Sequence, residues 1–205
     1  MKPFLRPLGY ISSRFQNFEP YRENPHTGTD FVYGWKKPIG SIGDGFVYKI
    51  VGENNPDLMV YRNLYQLCDT PIGLFEICYV HCSSFIAKEG DQVLQGYPVV
   101  YEGNTGLSVF VGGVRVQAWE KPTGKGSHLH LSCRPVERVA KIEKGEHYLN
   151  TESGERYRDS NGFYYHIKNN DLNKGYVDVE QLLFTPTLSQ LFVMYTKIVG
   201  FLKER

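Results

Sequence analysis

Apolar and polar positions alternate along most of the chain up to about residue 136, and a period of two predicts strands rather than helices. Phe46, Tyr48 and Ile50 alternate after Gly40, Gly43 and Gly45, a turn followed by a strand. Residues 58–67 and 74–82 read as a strand pair joined through 69–73. In the second, Phe75, Ile77, Tyr79 and His81 share one face, so a histidine ends an apolar row. Shorter strands are expected at 10–15, at 92–94, at 99–102 and over 107–119, where Gly112-Gly113 suits a two-residue hairpin turn. The stretch Ser127-His128-Leu129-His130-Leu131 continues the alternation to about Arg134, with both imidazoles on one face and both leucines behind. After Pro135 the pattern breaks into charged loops with small strands near 163–167 and 176–179. Thr185-Pro186 then fits the N-cap and first position of a helix to about Leu202. Its apolar residues, Leu188, Leu191, Phe192, Tyr195, Ile198, Val199 and Leu202, recur at helical spacing, which predicts a docking helix; Gln190 and Lys197 interrupt it as a membrane span.

The pattern therefore predicts a mainly β (α+β) chain: an antiparallel sheet over 1–136, and an extension over 137–205 with small strands and a terminal helix. Composition agrees. The 205 residues are 41% hydrophobic and 14% aromatic, enough for a packed core, and 21 Gly, 11 Pro and 15 Tyr describe short strands with many turns. A net charge of +1 leaves no broad footprint for nucleic acid or an acidic membrane. The N-terminal stretch lacks the apolar run of a secretory signal, and no segment reaches the apolar length of a span. Synthesis in a cytoplasm without a transmembrane segment is the expectation. Four cysteines, Cys68, Cys78, Cys82 and Cys133, form no C-x-x-C pair. Cys78 and Cys82 are candidate zinc thiolates, although buried free thiols are the simpler reading.

Candidate chemistry gathers on histidine. Of six, four fall in strand or strand-entry contexts: His26 with Asp30 four residues on, His81, and the pair His128 and His130. Two imidazoles on one strand face begin a metal site, and a hydrolytic site also needs a proton carrier. His147 and His166 lie outside this pattern and read as local hydrogen-bonding residues. Asp159-Ser160-Asn161-Gly162 and the 171–173 stretch lack a full calcium ligand series and read as turns.

The order H-x-G-x-D, then Y-x-H, then H-x-H resembles the zinc metallopeptidases of the lysostaphin and LytM type, the M23 family. The resemblance extends over about residues 8–136. It includes Gly43-Asp44-Gly45-Phe46-Val47, Gly90-Asp91-Gln92-Val93, Gln95-Gly96 and Gly103-Asn104-Thr105-Gly106. It implies that His26, Asp30 and His130 ligate one Zn²⁺ per chain, with a fourth position open for water. His81 and His128 would then be unligated histidines beside the metal, His128 as general base and His81 as proton donor or oxyanion stabiliser, with Tyr21 a further candidate oxyanion donor. It also implies an endopeptidase acting on peptides of bacterial peptidoglycan. With the absent signal, a phage lysin or virion-associated peptidase reaching the cell wall is expected.

Three departures leave specificity open: insertions over 52–73 and 107–127, both placed to border the groove, and the extension 137–205, a candidate site for a protein partner. A non-catalytic module that binds wall or protein is the rival, as is a structural zinc closed by Cys82 or His81. The five site residues argue against the first.

Overall fold

The computed structural model describes residues 4–5, 7, 9–21, 24–70, 73–141, 156–158, 163–167 and 176–184. Its strands are β1 (Phe4–Leu5), β2 (Tyr10–Ser13), β3 (Thr29–Val32), β4 (Pro38–Gly40), β5 (Gly45–Val51), β6 (Asn63–Thr70), β7 (Gly73–Val80) and β8 (Ser84–Phe85). They continue with β9 (Gln92–Val93), β10 (Pro98–Tyr101), β11 (Phe110–Val111), β12 (Val114–Arg115), β13 (Leu129–Lys141), β14 (Arg156–Arg158), β15 (Phe163–Ile167) and β16 (Leu183–Phe184). Among the described residues, helix is confined to 3₁₀ turns at Lys121–Thr123 and Val179–Gln181. The chain is mainly antiparallel β, as its alternation predicts. The helix expected over 185–202 lies outside the described residues, as do His147 and the two turn stretches near 160 and 172. No helix among the described residues is long and apolar enough to cross a membrane.

The large sheet runs β14-β15-β13-β7-β6-β5-β9, with β3 added beside β13 and β2 beside β3. A smaller sheet, β4-β10-β8, packs against it, and β11-β12 form a separate hairpin. Gly112 and Gly113 turn that hairpin with φ of 57° and 79°, the left-handed pair that a tight two-residue connection needs. One continuous core holds Phe31, Val47, Leu64, Ile77, Leu129 and Leu131 with Ile39 and Val99 from the smaller sheet. All four cysteines are free and buried, Cys68, Cys78 and Cys133 within strands and Cys82 just past β7. Burial raises each thiol pKa, so they pack as small apolar groups.

Two features depart from the alternation. β13 does not stop near Arg134 but continues through Pro135 to Lys141. Cys133, of the same parity as Pro135, turns its carbonyl away from β7 and accepts from Val177 N at 2.9 Å. Pro135 shares that direction, so its missing N–H removes nothing from the β7 ladder. Second, β7 ends at Val80, and His81 adopts φ of 66°. The chain thus leaves the strand at the histidine instead of ending its apolar row there.

Tyr79 anchors that exit. Its buried hydroxyl donates to Gln66 Oε1 at 3.1 Å and accepts from Ile42 N at 2.9 Å. Ser41 Oγ donates to the same Gln66 oxygen at 2.9 Å, so the 41–45 turn is tied to β6 and β7 through one network. Tyr79→Phe leaves a buried amide and a buried carbonyl short of a partner. It should cost about 1–3 kcal/mol of stability, read as a lowered urea midpoint with an unchanged slope.

Candidate metal centre

Pairing places the first three residues. β13 lies antiparallel to β3 with His130 directly opposite Asp30, and to β7 with His130 opposite Val80. Directly opposed residues share a sheet face. Asp30 and His130 therefore project together, while Phe31 and Leu129, also opposed, turn into the core. His26 arrives from the loop before β3, where its backbone closes a turn against Gln16 and Asn17.

Three donor atoms converge. His26 Nε2 stands 2.8 Å from His130 Nδ1 and 3.1 Å from Asp30 Oδ1, and His130 Nδ1 stands 3.0 Å from the same oxygen. His26 Nδ1 lies 3.0 Å from the Arg14 carbonyl and 3.2 Å from Ser13 Oγ. A carbonyl only accepts, so the hydrogen of a neutral His26 sits on Nδ1 and its Nε2 presents a lone pair. With both rings neutral, at most one proton is left among three converging acceptors, an arrangement that a cation satisfies. Tetrahedral zinc, with bonds of about 2.0–2.1 Å to such donors, sets donor separations of about 3.3–3.4 Å. The observed triangle needs to widen by only a few tenths of an ångström, so the set fits zinc. Among the described residues it is the group of three or more His, Cys, Asp or Glu able to hold a metal, and no thiolate joins it.

The other two histidines stand beside this triangle. His128 Nε2 is 3.8 Å from Asp30 Oδ2, and its ring lies 4.6 Å from that of His81, centroid to centroid. His128 Nδ1 bonds the Gly126 carbonyl at 2.8 Å and His81 Nδ1 the Thr105 carbonyl at 2.6 Å. A carbonyl only accepts, so both rings carry a hydrogen on Nδ1, and the neutral form of each presents Nε2 as a lone pair. Tyr21 lies apart from these contacts, stacked on Phe110 at 4.6 Å along a groove of about 480 Å³ that Asp30 and His128 also line. Hairpin residues Phe110 and Val111, from the insertion over 107–127, wall the same groove. From the other insertion, Tyr61 packs its ring 5.6 Å from that of His81.

Electrostatics favour the unprotonated forms of Asp30, His81 and His130. Burial alone would raise the Asp30 pKa, but the charge of His128 and hydrogen bonds with His130 and His26 hold it well below the carboxylate range. Burial lowers His81, and like charge on His128 and His130 lowers it further. Burial likewise lowers His130 against the opposing pull of Asp30.

Several supporting residues are not evident from residue type. A Cβ on Gly28 would sit 2.4 Å from the Leu131 carbonyl and 2.8 Å from His130 Nε2, so the glycine of H-x-G-x-D makes room for the ligand ring. Glu102 is buried and accepts from Tyr33 N at 2.7 Å, Gly34 N at 3.0 Å and Ser127 Oγ at 2.9 Å, tying the end of β3 to the approach of His128. Lys121 is fully buried, and its Nζ donates to the carbonyls of Asn104 and, at 2.9 Å, Gly106. Burial pulls its pKa down to about 8.

No family model matches the chain. Over 97 residues it is 31% identical to the peptidoglycan DD-endopeptidase ShyA of Vibrio cholerae, covering 44% of this chain and 21% of that protein. The chain thus spans about a fifth of the length of that curated relative. Among solved structures, a zinc-containing peptidase from Vibrio cholerae aligns with TM-score 0.45 and 24% identity, covering 64% of this chain and 36% of that one. LytU aligns with TM-score 0.46 and 24% identity over 66% and 79%. The catalytic domain of lysostaphin from Staphylococcus simulans gives 0.43 and 20% over 62% and 80%.

Two outcomes follow from the site's packing and charge. Gly28→Ala should push His130 from its place and lower zinc affinity by at least tenfold, measured by chelator competition, a loss typical of a disturbed ligand shell. For pH, His81 is held neutral when folded, whereas an unfolded imidazole takes up a proton below about pH 6.5. The unfolded state then binds the extra proton, so metal-free stability falls as pH drops through that value. His81→Gln should remove up to about 1.4 kcal/mol per pH unit of that slope, read from urea midpoints between about pH 6.5 and 5.

Proposed function

We propose that the chain is an M23-type zinc-dependent endopeptidase cleaving peptide cross-links or stem peptides of bacterial peptidoglycan. What supports the reading is the convergence of His26, Asp30 and His130, with two unligated imidazoles beside them, of which His128 opens onto the groove and His81 packs behind it. His26, Asp30 and His130 would hold the ion, one per chain. When bound, zinc supplies Lewis acidity, polarising a carbonyl and making water nucleophilic near neutral pH.

The chain's own residues would handle protons and position. His128 offers Nε2 as the general base: the hydrogen bond from its Nδ1 to Gly126 keeps that lone pair free, and Asp30 nearby stabilises the imidazolium that forms. His81, locked by Thr105, either donates a proton to the departing amine or hydrogen-bonds the oxygen on which charge develops. Tyr21, on the groove wall, is the further oxyanion donor of this scheme. Phe110 and Val111 on one side and Trp35 on the other would grip the peptide and limit water around it.

The unit doing this is residues 1–136, with 137–205 as an extension carrying a docking role. A phage lysin or virion-borne wall peptidase is the setting this proposal takes.

Replacing His128 by Ala should leave about one zinc per chain. Amine release from purified peptidoglycan should fall about 10²–10⁴-fold, the usual share of a general base. If wild-type protein binds zinc but releases no amine from any wall type, the chain is a binding module instead. A fourth protein ligand closing the zinc, seen by X-ray absorption, would make the metal structural.

A further inference from the structure

The two stretches that carry His26 and Asp30 are joined from outside by a residue far along the chain. Residues 176–184 return to the large sheet: Val177 bridges Cys133 of β13, Val179 is fully buried, and Leu182 and Leu183 pack on the core. β16 in this segment pairs in parallel with β1. Asp178 starts the 3₁₀ turn, its carboxylate accepting from Glu180 N at 3.0 Å, and that turn aims Glu180 at the back of β3.

One oxygen of Glu180, Oε1, accepts from Thr29 Oγ1 at 3.3 Å, and the other, Oε2, binds the Arg14 guanidinium. Each partner is one step from a proposed ligand. Thr29 precedes Asp30 in β3. Arg14 offers the main-chain carbonyl, 3.0 Å from His26 Nδ1, that fixes the His26 ring. A single carboxylate therefore fastens the backbone beneath Asp30 to the backbone that orients His26, two stretches that otherwise meet through the short ladder of β2 with β3. The side chain of Glu180 is only 18% exposed while that of Arg14 is 67% exposed, so the bond to Thr29 is the shielded arm of this link and the pair with Arg14 its solvent-facing arm.

We propose that Glu180 is a positioning residue for the metal centre, setting the distance between His26 and Asp30 through Arg14 and Thr29, so that the 176–184 segment of the extension is a working part of the peptidase. The assignment rests on the zinc reading above. It predicts that metal affinity, and not only fold stability, depends on a residue about 150 positions from the ligands it serves.

The test uses full-length wild type, Glu180→Gln, Glu180→Ala and the exchange Arg14→Glu with Glu180→Arg. Zinc dissociation constants are measured by chelator competition, well below the melting temperature of each metal-free protein. Glu180→Ala should weaken zinc binding about tenfold or more, a typical loss for an outer-shell partner. Glu180→Gln, whose single amide oxygen keeps one of the two hydrogen bonds without the charge, should lie between, and the exchange should recover most of the loss. Wild-type affinity in Glu180→Ala overturns the assignment while leaving the zinc reading intact. If Glu180→Ala does not fold, equal affinity in Glu180→Gln overturns it instead. Wild-type protein that binds no zinc overturns the zinc reading, and this inference with it.

Discussion

The site depends on the register of one strand. β13 meets β3 with His130 opposite Asp30 and meets β7 with His130 opposite Val80. A slip of one residue would turn Leu129 and Leu131 to the groove and bury both imidazoles without partners. The leucines, 1% and 0% exposed, oppose that slip, since burying each contributes about 1.5–3 kcal/mol. The hydrophobic effect therefore specifies a polar site indirectly: the core face is held, and the groove face follows from the pleat.

Register brings the histidines together but does not turn their rings. That orientation comes from main-chain carbonyls, of Arg14 for His26, Thr105 for His81 and Gly126 for His128. Each fixes the hydrogen on Nδ1 and leaves Nε2 as a lone pair facing its neighbours. Carbonyls cannot titrate, so the hydrogen on each Nδ1 stays in place over a wide pH range, and the lowered pKa of Asp30 and of His81 keeps those two groups unprotonated alongside it. Main-chain orientation also explains why glycines crowd the motifs. Gly103 passes where a Cβ would lie 2.3 Å from Ser83 N, and its carbonyl accepts from His128 N at 3.0 Å.

Strand alternation made much of this legible. The pairing of His128 with His130 on one face, with leucines behind, follows from a period of two, and the Gly112-Gly113 hairpin follows from turn chemistry. What stayed hidden is what departs from periodicity or acts at long range. His81 reads as the end of an apolar row, yet its positive φ takes it off the strand; backbone strain at a single non-glycine leaves no trace in the pattern. Pro135 reads as a strand end and is tolerated because its edge of β13 faces the returning segment at Val177 rather than β7. Glu180 carries no local signal, since its partners are 166 and 151 residues away.

Lys121 shows how far such hidden support reaches. In a turn-rich insertion a lysine reads as solvated, yet this one is fully buried, at a cost that explains its lowered pKa. The extended 103–106 stretch alternates its carbonyls. Those of Gly103 and Thr105 face the histidines, accepting from His128 N and His81 Nδ1, while those of Asn104 and Gly106 face the Lys121 ammonium. Asn104 completes the grip by donating its side-chain amide to the carbonyls of Lys121 and Lys125 at 3.0 and 2.8 Å. A cation drawing two carbonyls one way holds the alternate two the other way, so the buried charge sets the direction of the dipoles that hold the His81 ring and the His128 backbone. An insertion that lengthens the link to the paired histidines thereby also supplies the group that stiffens it.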